Sequence, residues 1–118
     1  MKEIYSTLKD NDKEYKLVFN LNVVESIQDE YKTLDNWSSL TDGEAGEVNV
    51  KALVFGITEM INEAIDIDND ENGKNEPFMT HKQVSRLLTR IGLDKAVSTM
   101  NKTVIDSTKD PSEDSKNE

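Results

Sequence analysis

The sequence predicts an α+β domain that is mainly α-helical, with an N-terminal β-hairpin packed on a bundle of about four helices. The first twenty residues hold two runs of β-branched and aromatic residues, and the following stretch repeats apolar residues at helical spacing. The last residues, "STKDPSEDSKNE", contain no apolar side chain other than a proline. We therefore expect a single globular domain at residues 1–106 and a disordered polar tail at residues 107–118.

The hairpin is predicted from the runs "KEIYSTLK" and "EYKLVFN", which flank "DNDK", a stretch whose Asn and Asp residues tolerate a tight turn. Pairing Lys9 with Glu14 sets the register. In that register the apolar face comprises Ile4, Leu8, Tyr15, Leu17 and Phe19. The opposite, more polar face comprises Tyr5, Thr7, Lys16 and Val18. Because a two-stranded hairpin alone is marginally stable, we expect it to rest on helices.

The first helix is expected after the hairpin, with Asn22 as its N-cap. Asp35 is expected to cap the short turn "NWSSL" that follows this helix in the sequence. Two glycines in "TDGEAGE" then predict a loop. The strongest helical pattern spans about residues 48–65. Its apolar stripe, which we expect to be buried, comprises Val50, Leu53, Val54, Ile57, Met60, Ile61, Ala64 and Ile65.

The third helix is expected after an acidic loop at residues 66–77. Thr80 and Gln83 have the Thr-x-x-Gln spacing of a capping box, and Gly92 is placed to end this helix. A fourth helix follows from Leu93. The apolar positions of the two helices are Val84, Leu87, Leu88, Ile91, Ala96, Val97, Met100 and Val104.

The acidic loop matches the first half of a calcium-binding EF-hand loop. Counting from Asp68, the next positions that require Asp, Asn and Gly are occupied by Asp70, Asn72 and Gly73. The last position, which requires a bidentate glutamate, is Met79. Because that ligand is missing, we expect a solvated acidic loop and no metal site. Weak binding of a divalent cation there, in a divalent-ion sensor, is the alternative.

Composition argues against several functional classes. The formal net charge is −10, from 14 basic and 24 acidic residues, which opposes binding to nucleic acid and to anionic membranes. The chain has no cysteine, no signal-peptide pattern in its first residues and no apolar run long enough to span a membrane. The single histidine, His81, has no partners at catalytic or metal-binding spacing. We therefore expect neither an enzyme nor a cofactor.

Two aromatic residues are the candidates for binding a partner. Trp37 is either a lid over the small core, which we favour, or an interaction anchor. Phe55 lies roughly 150° from the centre of the apolar stripe on a helical wheel. Either the hairpin or the fourth helix covers it, which we favour, or it faces a partner.

The order of the segments resembles a known family. The stretches "YKLVFNLNVVESIQDEY", "VNVKALVFGITEMINEA" and "MTHKQVSRLLTRIGLDKAV" are similar to the small tail assembly chaperones of long-tailed bacteriophages and prophages of Gram-positive bacteria. The resemblance covers about residues 14–105, with a longer acidic loop than those proteins have. It implies a non-enzymatic protein of the bacterial host cytoplasm. Such a protein binds the tape measure protein, keeps it soluble and helps recruit tail tube subunits, and self-association is compatible with that role.

The main alternative is an acidic protein that mimics DNA and occupies the basic cleft of a nucleic-acid enzyme as an inhibitor. Such a mimic requires carboxylates spaced like phosphates along one face. The acidic residues of this chain are concentrated in one loop and in the tail, which favours the chaperone.

Overall fold

The computed structural model describes residues 5–43 and 46–108, which form a two-stranded antiparallel hairpin and five α-helices. The strands are β1 (Tyr5–Asp10) and β2 (Lys13–Val18). The helices are α1 (Leu21–Tyr31), α2 (Leu34–Thr41), α3 (Val50–Asn72), α4 (His81–Ile91) and α5 (Leu93–Thr108). The predicted fold class, a hairpin on a mainly helical bundle, is confirmed.

The hairpin has the register that the sequence predicts. Lys9 pairs with Glu14, and Asn11 enters the left-handed region at φ +57° in the two-residue turn. The fully buried side chains of its apolar face are Leu8, Leu17 and Phe19. Ile4, which belongs to the same predicted face, lies outside the described residues. The hairpin rests on helices as expected, since α3 packs on β2 and α5 packs on β1.

Two helices begin earlier than the sequence pattern indicates. The N-cap of α1 is Asn20 rather than Asn22, because the Asn20 side chain accepts a hydrogen bond from the N–H of Val23 at 3.3 Å. The N-cap of α2 is Thr33 rather than Asp35, and its hydroxyl oxygen likewise accepts an N–H of the first helical turn. Both caps have an extended backbone, which lets the side-chain oxygen reach the helix. The expected short turn is therefore a full helix.

The largest departure from the prediction concerns α3, which continues to Asn72 instead of ending near residue 65. The expected acidic loop at residues 66–77 is therefore helical in its first part. Adding residues to a formed helix costs less free energy than nucleating one, so the Asp and Asn residues continue the packed helix. Gly73 ends it in the left-handed conformation at φ +62°, and its N–H bonds back to the carbonyl of Asn69.

The last two helices begin as predicted. Thr80 and Gln83 form both hydrogen bonds of the capping box, and Gly92 ends α4. However, α5 extends to Thr108 and Ser107 is buried, so the helix enters the segment predicted to be a disordered tail. The remainder of that segment, residues 109–118, lies outside the described residues.

A close contact between Trp37 and Gly56 fixes α2 on α3. The Trp37 indole N–H donates a hydrogen bond to the carbonyl of Ala52 at 3.0 Å. The indole lies so close that a Cβ placed on Gly56 would be 2.3 Å from its Cζ2 atom. Glycine at this position therefore makes room for the largest side chain of the core.

Candidate functional site

A segment without helix or strand at residues 74–80, termed the strap, follows α3 and leads to α4. Asn62 of α3 donates its side-chain N–H to the carbonyl of Met79 at 2.9 Å and accepts the Met79 N–H at 2.8 Å. Asn69, two helical turns further on, makes the same pair of bonds with Glu76, both at 3.0 Å. Two asparagine side chains therefore take the place of a neighbouring strand and hold the strap against the helix.

A groove of about 870 Å³ lies between β2, the strap and the second half of α3. Its aromatic and aliphatic lining comprises Tyr5, Tyr15, Val18, Ile61, Ala64, Ile65, Ile67, Pro77 and Met79, and Asn72 adds an uncharged polar side chain. Its charged lining comprises Lys13, Glu14, Lys16, Asp68, Glu71, Lys74 and Glu76. This site is termed the β2–α3 groove. Apolar surface with a polar rim is the usual composition of a protein-recognition surface.

The rim of the groove carries charges of both signs. The Lys74 Nζ atom lies 3.1 Å from Asp68 Oδ2, and the Asn72 side chain donates a hydrogen bond to Asp68 Oδ1 at 2.6 Å. The bonds from Lys74 and Asn72 hold the pKa of the Asp68 carboxyl below its usual range, so Asp68 is ionised at neutral pH. On β2, the Lys16 ammonium lies 4.5 Å from the centre of the Tyr5 ring.

The helical conformation of α3 separates the residues that match half of an EF-hand loop. Successive residues of a helix are rotated by about 100°, so Asp68 and Asp70 point in directions about 160° apart. An EF-hand instead wraps such side chains around one ion from a loop. Among the residues that the structure describes, no group of three or more His, Cys, Asp or Glu residues is placed to hold a metal ion.

The two aromatic candidates lie outside the β2–α3 groove. Trp37 is 1% exposed and hydrogen-bonded inside the core, so it has no surface to offer a partner, which corrects its partner-binding interpretation in favour of the lid. Phe55 is half-buried and packs edge-to-face on Tyr31, with ring centres 5.5 Å apart. Phe55 therefore packs on α1, which the sequence analysis did not name among the elements that would cover it. His81 is exposed at the start of α4.

Sequence reasoning missed the groove because segments that are distant in the sequence form it. β2 is separated by tens of residues from the end of α3 and from the strap that follows it, and no periodicity in any of these segments shows that they meet. One signal was available: the apolar stripe continues through Ala64 and Ile65 to Ile67, inside the stretch interpreted as an acidic loop. Apolar residues persisting there indicate a helix that continues beyond the core.

Comparisons of the chain with protein-family models, with curated proteins and with solved structures give no match. Within the described ranges, none of the helices combines the length and the apolar character that crossing a membrane requires. The functional interpretation therefore depends on the geometry of the groove and on the order of the sequence segments.

Proposed function

We propose that this chain is a tail assembly chaperone of a long-tailed phage or prophage of a Gram-positive bacterium, acting in the host cytoplasm. In this proposal the β2–α3 groove binds an apolar segment of the tape measure protein, and the complex helps recruit tail tube subunits. The observation that carries the proposal is the open groove itself, with its apolar floor and charged rim. The resemblance in segment order supplies the identity of the client.

The groove suits an apolar client because apolar side chains remain only partly covered in the free chain. These side chains are Ala64, Ile65, Ile67 and Met79. Covering them removes apolar surface from water, at about 25 cal/mol per Å². The net charge of −10 adds solubility to a complex in which many copies cover one aggregation-prone client.

The chemistry of the groove favours binding over catalysis. Its described lining residues include no histidine, serine, threonine or cysteine, so they supply no nucleophile with an adjacent imidazole base. The charged residues of the rim instead form pairs such as Lys74 with Asp68. We therefore propose a binding protein rather than an enzyme.

A second candidate, the DNA mimic, gains support from the helical end of α3. Glu59, Glu63, Asp66 and Asp70 are spaced by four, three and four residues, so they share one face of the helix. Along the helix axis they recur about every 5.5 Å, whereas phosphates of one DNA strand recur about every 3.4 Å. Glu63 also accepts hydrogen bonds from Asn20 and Asn22. The row is therefore sparser than DNA, and the mimic stays second.

The test of the proposed function is co-expression with the tape measure protein from the same genome, followed by pull-down and measurement of the soluble client. Ala64→Glu places a charge on the groove floor and is expected to weaken the complex by about 2 kcal/mol or more. Ile105→Glu is the matched control, because Ile105 is 59% exposed on α5 and does not line the groove. The control is expected to bind the client like the unmodified chain.

The chaperone proposal fails if the client stays insoluble and no complex forms with the unmodified chain. The mimic is supported instead if the chain captures a nucleic-acid enzyme and the variant carrying Glu59→Gln, Asp66→Asn and Asp70→Asn loses that capture. Thermal melting of every variant separates loss of binding from loss of folding.

A further inference from the structure

β2 is an edge strand, and its outer side borders the β2–α3 groove. The two-residue turn makes Asp10 and Lys13 a hydrogen-bonded pair, and such pairs alternate along an antiparallel ladder. The main-chain groups that face outward from β2 are therefore those of Glu14, Lys16 and Val18. In the part of the chain that the structure describes, no main-chain hydrogen bond from another element reaches them.

The helices beneath the hairpin extend beyond its edge. Neighbouring strands lie about 4.8 Å apart, whereas packed helices lie about 8–10 Å apart. Because α3 packs on β2 and α5 packs on β1, with α4 in contact with both helices, the helical layer is wider than the two-stranded sheet. This difference leaves space for a third strand beside β2 and over α3, at the position of the β2–α3 groove.

We infer that the groove receives an extended segment of a partner, which adds to the free edge of β2 as a third, antiparallel strand. Its alternate residues are apolar and face the floor formed by the half-buried Ala64 and Ile65, with the buried Ile61 beneath them. Its remaining residues face the same way as Glu14 and Lys16, so the segment carries a cation opposite Glu14 and a carboxylate opposite Lys16. Strand addition of this kind is a common mode of peptide recognition.

The same geometry disfavours a second copy of this chain as the occupant. If a second copy paired through its β2, the α3 helices of the two copies would compete for the same space beneath the paired strands. A free segment brings no helix with it and fits beside β2. That the segment belongs to the tape measure protein rests on the proposed function, whereas the mode of binding does not.

The probe is the peptide Thr-Val-Glu-Ile-Lys-Val, acetylated and amidated, whose threonine lies opposite Val18, glutamate opposite Lys16 and lysine opposite Glu14. Its titration into the full ¹⁵N-labelled chain is followed by NMR. We expect the amide signals of Glu14, Lys16 and Val18 to move most, together with those of residues 61–68. No binding up to millimolar peptide, or shifts confined to another surface, would overturn the inference.

Methylation of single amide nitrogens in the peptide tests the strand geometry. Methyl groups on the glutamate and lysine nitrogens remove two donors that face β2, and we expect them to weaken binding by about tenfold or more. Methyl groups on the first valine and the isoleucine nitrogens face away from β2 and are expected to change the affinity by less than about threefold. Equal loss in both peptides would contradict strand addition.

Charge reversal tests the register. The peptide Thr-Val-Lys-Ile-Glu-Val is expected to bind the unmodified chain about fivefold more weakly, because both cross-strand pairs become repulsive. The variant that carries Glu14→Lys together with Lys16→Glu is expected to reverse this preference. An unchanged preference would contradict the register, and misfolding cannot produce a reversal.

Sedimentation of the chain alone tests the competing occupant. A dimer that the peptide dissociates would assign the edge to a second copy and overturn the inference. If the peptides behave as expected but the tape measure protein is not captured, the strand site stands and the proposed function fails. If the client is captured but no peptide binds at β2, the proposed function stands and the strand site fails.

Discussion

The two halves of α3 differ in how they use their apolar residues. In the first half, Val50–Ile61, eight residues are buried against the hairpin, α2 and α4. In the second half, Asn62–Asn72, every residue is half-buried or exposed, although Ala64, Ile65 and Ile67 continue the apolar character. The first half stabilises the fold, and the second presents apolar surface in the β2–α3 groove. We propose that one helix combines a structural segment with a recognition segment.

The sharpest test of this comparison replaces one isoleucine in each half with alanine. Ile57 is completely buried, so Ile57→Ala is expected to lower the free energy of unfolding by about 2–5 kcal/mol. Ile65 is half-buried in the groove, so Ile65→Ala is expected to cost about 1 kcal/mol. Urea denaturation measures both values. Equal losses would mean that the second half belongs to the core.

The next largest effect concerns the contact that anchors the first half. In Gly56→Ala the new Cβ would lie 2.3 Å from Trp37 Cζ2, and we expect overpacking to cost about 1–3 kcal/mol. Trp37→Phe removes the part of the ring that carries Cζ2. The double variant should therefore be more stable than the sum of the two single losses predicts. Strict additivity in a double-mutant cycle would show that this contact does not limit the packing.

The elements that the sequence predicts best are those with local signals. The hairpin register, the Thr80–Gln83 capping box and the end of α4 at Gly92 each depend on residues only a few positions apart. The predicted end of α3, near residue 65, was wrong because Asp and Asn favour loops locally. The helix continues because it is packed on distant elements and because Asn62 and Asn69 bond to the strap, 17 and 7 residues further along the chain. Local propensity is a weak prior against such contacts.

The candidate site was harder to predict than the fold. A groove is a property of the space between segments, and the relative positions of β2 and α3 follow from tertiary packing alone. Trp37 is a large aromatic residue outside any apolar stripe of the sequence, and it can be buried because Gly56 has no side chain. Such complementary pairs have no signature in a single sequence.

A smaller effect tests the strap as the wall of the groove. Asn62→Ala removes both bonds to Met79, and we expect a loss of about 1 kcal/mol, since alanine partly compensates through its higher helix propensity. Amide exchange should accelerate in the strap while α5 stays protected. Ser98→Ala is the control, because Ser98 is an exposed residue of α5, and it should leave exchange in the strap unchanged. Unaltered exchange in the Asn62→Ala variant would show that other contacts hold the strap.

The smallest expected effect is a shift in the pKa of Tyr31, whose ring packs on Phe55 of α3. Burial, with a contribution from the Glu30 carboxylate, raises the pKa of the Tyr31 phenol above 10.0. Because the raised pKa favours the protonated form in the folded chain, this contribution to stability is complete below pH 10 and is lost as the pH rises through the folded pKa. Phe55→Ala exposes Tyr31 and should return its pKa towards 10.0, measured by phenolate absorbance. An unchanged absorbance titration would contradict this packing.

The most direct test of the division of α3 is hydrogen–deuterium exchange of the full chain, alone and in complex with the tape measure protein. We expect new protection in β2, in the second half of α3 and in the strap, with unchanged exchange in α1, α2 and α5. Failure to form a complex would contradict the proposed client. Protection confined to α1, α2 or α5, with the β2–α3 groove unchanged, would contradict the assignment of the second half of α3 to recognition.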